Sequence, residues 1–136
     1  MSKENNSVTI IDPIGELVIN KKLLPTKEIP KPFSRDIFLF NTYIAGTTYI
    51  DDIEAIYNEI DVNTELFFYR EPKNLYDKYA IVIKTKEGKK LGYVPAADNV
   101  VFARLMDAGK LLIAKIVDKE EYGSWKKIFI NIFLRD

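Results

Sequence analysis

The sequence contains no cysteine and no histidine, and these two absences close off much of catalytic chemistry. Without cysteine there is no disulfide, no thiolate nucleophile and no zinc–thiolate site; without histidine there is no imidazole ligand, and the commonest general base is missing. Hydrolytic chemistry would have to rest on carboxylates around a hard cation, or on a lysine or tyrosine of shifted pKa. Net charge is absent too, since 20 Lys and Arg balance 20 Asp and Glu. A protein that coats long nucleic acid carries a basic excess, so phosphate binding here has to be local. No apolar run reaches the roughly 18 residues of a membrane span, and the stretch from Met1 to Ser7 is polar and carries an acid, unlike a signal peptide. The expectation is a cytoplasmic protein without membrane contact. What is present, 47% hydrophobic and 29% charged residues over 136 positions, is the balance of one folded domain.

Along the chain, the first 35 residues join a short apolar stretch, Ile14 to Ile19, to a segment with Pro25, Pro30 and Pro32. Closely spaced prolines cannot feed a sheet ladder, so residues 1–35 read as an arm with at most a strand or hairpin. From Asp36 the pattern sharpens. A β-rich run to Ile44 ends at Ala45-Gly46, and Asp51-Asp52 precede Ile53, Ile56, Tyr57 and Ile60 at helical spacing. Strands follow over Glu65 to Arg70, Ala80 to Lys84 and Leu91 to Val94. Asp98 or Asn99 caps a second helix whose stripe of Val101, Phe102, Leu105 and Met106 is expected to be buried, with Gly109 as its stop. Strands over Leu111 to Val117 and Trp125 to Leu134 flank a polar turn around Glu121 to Ser124. Six short strands and two short helices make a mainly β fold, a small, partly open barrel, because closure removes exposed edges.

One loop breaks the strand pattern with a proline, an asparagine, two tyrosines and dense charge: Arg70-Glu-Pro-Lys-Asn-Leu-Tyr-Asp-Lys-Tyr79. Taken with Ile44-Ala-Gly-Thr-Thr-Tyr49, Ala80-Ile-Val-Ile83, Leu91-Gly-Tyr-Val-Pro95 and Ala103-Arg-Leu-Met-Asp-Ala-Gly109, it resembles the HIRAN domain, from about Asp36 to the end. That family occurs at the front of some eukaryotic fork-remodelling ATPases and as small free-standing bacterial proteins. The resemblance implies an OB-like barrel that captures the 3′-hydroxyl end of single-stranded DNA, in DNA repair or replication-fork processing, with no cofactor. It further implies that Tyr76 packs on the terminal nucleotide, that Asp77 accepts a hydrogen bond from the 3′-hydroxyl, and that Asn74, Tyr49 and Tyr93 belong to the same pocket. Physics agrees with the roles: an aromatic face stacks on any base, and a carboxylate repels internal phosphates yet accepts from a free hydroxyl. Arg70, Lys73 and Lys78 are placed to meet the last phosphates. Two departures stand out. Leu75 replaces the family's usual proline, which frees the loop backbone, and Ala96-Ala97 stand where a basic residue often follows. Modest, salt-sensitive affinity is expected.

Plainer readings stand beside these. Tyr76 can cover the barrel end, Asp77 and Asn74 can shape the turn, Tyr49 and Tyr93 can be core or rim aromatics, and Arg70 and Glu71 can pair with each other or with neighbours. Gly46 and Gly92 read as close-packing positions. Trp125, Lys126 and Lys127 either cover the core's edge or form a second stacking and phosphate patch. Asp77 with Glu87-Gly-Lys89 has the bare spacing of a Mg²⁺ nuclease signature, but Glu87-Gly88 reads as a hairpin tip facing solvent, so no catalysis is expected. A third possibility is a protein-interaction module that has lost DNA binding, its arm docking a helicase or nuclease encoded elsewhere or a second copy.

Overall fold

The computed structural model describes residues 9–12, 16–18 and 35–136. These fall into two units. The first holds β1 (Thr9–Asp12) paired antiparallel with β2 (Glu16–Val18), Thr9 opposite Val18 and Asp12 opposite Glu16. Pro25, Pro30 and Pro32 lie outside the described residues.

The second unit, Arg35–Asp136, is mainly β. Its elements run β3 (Asp36–Tyr43), α1 (Ile53–Glu59), β4 (Glu65–Arg70), β5 (Ile81–Lys84), β6 (Lys90–Tyr93), α2 (Asn99–Asp107), β7 (Leu111–Tyr122) and β8 (Trp125–Arg135). The six strands form one antiparallel sheet in the order β3-β8-β7-β4-β5-β6. Its two outer strands meet at a single pair: Ala45 and Tyr93 exchange both backbone hydrogen bonds, at 2.8 and 2.9 Å, and so close the curl into a partly open barrel. Gly92 makes this possible, since a Cβ there would lie 2.3 Å from the Ala45 carbonyl oxygen. The close-packing reading of Gly92 therefore holds. At Gly46 the requirement is conformational instead, with φ at 78° and no neighbour nearer than the Tyr49 ring at 4.0 Å.

The core is aliphatic. Ile44, Leu66, Ile81, Ile83, Leu91, Ile116, Ile128, Ile130 and Ile132 are all fully buried, each contributing about 1.5–3 kcal/mol by leaving water. α1 buries Ile56 and Tyr57, the face its spacing predicts. Two lysines fasten it to the hairpin of β7 and β8: Lys119 donates to the Tyr57 and Ile60 carbonyls at 2.7 and 2.6 Å, and Lys126 pairs with Glu54 and Glu121 at 3.1 and 2.8 Å.

Several expectations need correction. Asp52 and Asp98 occupy the cap positions of α1 and α2, yet neither side chain makes a capping hydrogen bond; Asp98 instead accepts from the Thr42 hydroxyl at 3.1 Å. On α2 the buried residues are Asn99, Phe102 and Ala103, while Val101 is 63% exposed. Helix α2 lies with Phe102 against Phe40, ring centres 5.8 Å apart, which turns Val101 outward. Its end does follow expectation. Gly109 and Lys110 donate to the Met106 and Leu105 carbonyls at 2.9 and 3.0 Å, a Schellman stop with Gly109 at φ 92°. β7 runs on past Val117 to Tyr122, and the turn expected around Glu121 to Ser124 shrinks to Gly123-Ser124, because Asp118 to Tyr122 continue the ladder with Trp125 to Phe129.

Candidate functional site

The loop between β4 and β5 is built on a set of side-chain braces. Asn74 is its hinge: its Oδ1 accepts from the amides of Tyr76 and Asp77 at 2.9 and 3.1 Å, and its Nδ2 donates to Glu71 at 3.0 Å. Glu71 also accepts from the Tyr93 hydroxyl at 2.8 Å, and that hydroxyl accepts from Lys90 at 2.9 Å. Burial by itself would raise the Glu71 pKa, but the donors Asn74 and Tyr93 and the charges of Lys90 and Lys84 outweigh it and hold the carboxyl below its ordinary value. The loop's first turn is thereby tied to β6.

Its second half is tied to α2. Arg70 grips both Asp107 oxygens at 2.9 and 3.3 Å and donates to the carbonyls of Ala80 at 2.8 Å and Lys78 at 3.0 Å. Of the two pairings open to Arg70, with Glu71 or with a neighbour, the structure shows the second, with Asp107. Four of the five guanidinium donors are thereby engaged in bracing the loop. Asp77 accepts from the Tyr79 amide at 2.8 Å through one oxygen and from Asn99, itself buried, at 2.7 Å through the other. Each carboxylate oxygen has lone pairs for a further donor, so shaping the turn and accepting a hydroxyl are compatible.

Between these anchors the tip is bare. Leu75 and Tyr76 are 92% and 94% exposed, so Tyr76 does not cover the barrel end. Tyr49, in a single 3-10 turn over Thr47–Tyr49, is 87% exposed. The Ala45–Tyr93 bridge sets this turn beside β6, and Thr47 donates to the Lys126 carbonyl at 2.7 Å. Tyr49, Tyr93 and the loop therefore share one end of the barrel. Lys73 and Lys78 are exposed, and Tyr79 lies between Lys78 and Arg104, whose charges stand 5.3 and 5.9 Å from its ring centre. The Arg104 guanidinium beside the Tyr79 hydroxyl, helped by the Lys78 charge, holds its pKa below the ordinary value.

The structural residues Glu71, Asp107 and Asn99 had no distinctive signal in the sequence. Asn99 read as a helix cap, and only the partner it finds in Asp77 reveals its task. The nuclease-like spacing gathers nothing: Asp77 is held by Asn99, Lys89 pairs with Glu59 at 3.0 Å, and among the described residues no group of three acids could hold a metal. No described helix is long and apolar enough to cross a membrane.

A small OB-like barrel with a braced loop and bare aromatics at one end defines the structural class. Residues 37–135 match the HIRAN domain family, and the chain belongs to it. A crystal structure of a protein from Lactobacillus plantarum is similar at 27% identity and TM-score 0.69, over 74% of this chain and 95% of that one. The crystal structure of the HIRAN domain of human HLTF is similar in fold, with 16% identity and TM-score 0.55 over 73% and 78%. No curated protein matches the chain.

Proposed function

We infer that the domain, residues 36–136, binds single-stranded DNA without catalysis and takes the 3′-hydroxyl end at the β4–β5 loop. The observation that carries this reading is the contrast within the loop: Glu71, Asn74 and Asp77 are each partnered, while Tyr76 stands almost wholly in water beside the Asp77 carboxylate. A ring with no structural task is available to stack on a terminal base, and the neighbouring carboxylate accepts from a hydroxyl while repelling an internal phosphate. Tyr49 and Tyr93 supply further walls. Asn74 acts by shaping the turn, and Lys73 and Lys78 meet the last phosphates, whereas Arg70 holds the loop that carries them. Leu75 in place of proline is offset by these braces, which supply by side chains the rigidity a ring would have given. Work at DNA ends in repair or fork processing, beside a helicase or nuclease that the arm docks, is the setting this reading suggests.

The test is fluorescence anisotropy with a short labelled strand at low salt, comparing a free 3′-hydroxyl with a 3′-phosphate. Binding that requires the free hydroxyl and weakens at least about tenfold in Asp77→Asn is expected, since a charged acceptor is lost while the side chain's shape is kept. If neither strand binds, the DNA reading falls, and the exposed Leu75-Tyr76 tip becomes a protein-docking surface.

A further inference from the structure

The outward face of β8 and β3 takes no part in the end site. Along β8, Lys126, Ile128, Ile130 and Ile132 point inward and are buried, leaving Trp125, Lys127, Phe129, Asn131 and Phe133 on the other side. Of the sequence trio, Lys126 thus belongs to the interior. Strand β3 sets Tyr43 opposite Phe129, Asn41 opposite Asn131 and Phe38 opposite Phe133. Phe38 is exposed and meets Phe133 edge to face, ring centres 6.0 Å apart. The Lys127 ammonium lies 5.0, 5.2 and 5.5 Å from the ring centres of Phe129, Trp125 and Tyr43. It has no carboxylate within ion-pair distance among the described residues.

We propose that this face is a stacking track for the internal nucleotides of a single nucleic-acid strand. Outward side chains on a strand recur every 6.6 to 6.8 Å or so, about twice the 3.4 Å rise per base of a duplex strand. Rings at that spacing suit bases drawn apart rather than a helix. The Lys127 ammonium, surrounded by rings and in no ion pair among the described residues, gains one from a phosphate passing Trp125 or Tyr43. Asp118 and Glu120 stand opposite Phe129 and Lys127 on β7, which keeps a polyanion on the β3 side of the face. The track also begins where the end site stops, because the Thr47 bond to the Lys126 carbonyl fixes the turn that carries Tyr49 to this same strand. In that continuity the inference rests on the end-binding reading: a strand held by its 3′ end would run away from its terminus over β8.

The experiment compares labelled single strands of about 4 and about 12 nucleotides, within the usual range of OB-fold site sizes, each with a free or a phosphorylated 3′ end. The full chain is used, beside a Tyr43→Leu, Lys127→Gln double variant whose fold is checked by thermal melting. The wild type is expected to hold the longer strand about tenfold more tightly, the variant to lose most of that gain and about one unit of salt slope, and end preference to persist in both. No gain with length, or an equal gain in the variant, overturns the track and leaves the end site standing. A length gain that vanishes in the variant, with free and blocked 3′ ends bound equally well, supports the track and removes the end site. Sedimentation as a dimer that the variant dissociates overturns the proposal and assigns the face to a second copy.

Discussion

The loop between β4 and β5 and the turn between β7 and β8 both join antiparallel neighbours, and they do it by opposite means. Gly123 and Ser124 alone connect β7 to β8, and the register holds over nearly the whole of both strands with one irregularity between Ile116 and Asp118. The other connection spends residues 71–80 and is shaped by Asn74, Glu71, Arg70 and Asp77. A tight turn fixes its strands by backbone geometry and has no side chain to spare. A long loop, once braced from below, can present side chains that do nothing for the fold. The barrel separates a part that sets register from a part that presents side chains to solvent.

The largest effect should come from deleting packing in the first part and bracing in the second. Ile130→Ala, in the fully buried centre of β8, is expected to cost about 3–4 kcal/mol in urea unfolding, with the whole sheet lost together. Arg70→Lys should cost less, about 2 kcal/mol, because one ammonium cannot reproduce the fork that holds Asp107 and two carbonyls. Amide exchange distinguishes the two. In Arg70→Lys the Tyr79 and Ala80 amides, which both bond to Asp77, should exchange faster while the β7–β8 ladder keeps its protection. Equal acceleration in both regions would show that the loop is not a separate unit.

This division also explains what could be read from the sequence. β4 and α1 are legible because Leu, Phe, Ile and Tyr recur at the period of the element that buries them, and β5 because Ile81-Val82-Ile83 is a short apolar run, buried throughout. The extension of β7 through Asp118 to Tyr122 is not, since those residues are held by the partner strand rather than by their own apolar pattern. Lys126 on the inward face was equally hidden: its burial depends on Glu54 and Glu121 arriving from two other elements. In the loop, residue types pointed to the site but not to the division of labour. Whether Arg70 meets a ligand or Asp107 depends on where α2 ends, a matter of tertiary geometry.

Acid should separate the regions by a smaller margin. Asp36 joins Arg135 at 2.7 Å and Lys115 at 3.4 Å, and the Arg135 hydrogen bond, ahead of the opposing effect of burial, lowers its pKa from 3.8 to about 2. A depressed carboxyl stabilises the fold above its unfolded value and loses that contribution as pH falls through the folded one, so the window is pH 4 to 2. With water screening the pair, the loss is about 1 kcal/mol. Asp36→Asn should flatten the pH dependence of the urea midpoint in that window without changing the environment of Tyr76. A variant as acid-sensitive as the wild type would move the effect to other carboxyls, Glu71 first, whose pKa is also lowered.

The smallest change bears on the tip. Leu75 is 92% exposed, and its amide, unlike those of Asn74, Tyr76 and Asp77, makes no hydrogen bond among the described residues. Leu75→Pro therefore removes neither packing nor a donor in use. It narrows the unfolded chain and should raise stability by about 0.4–1 kcal/mol where the backbone angle already suits the ring. Because Asn74 and Arg70 already fix the loop base, affinity for a 3′ end should rise less than about threefold, a gain from reduced ordering alone. A much larger rise would mean that the braces leave the tip freer than its hydrogen bonds imply, and that rigidity there comes chiefly from the residue at position 75. A loss of stability would place Leu75 at a backbone angle that proline cannot take, and the loop's shape would then be set by Asn74 against the preference of the family's motif.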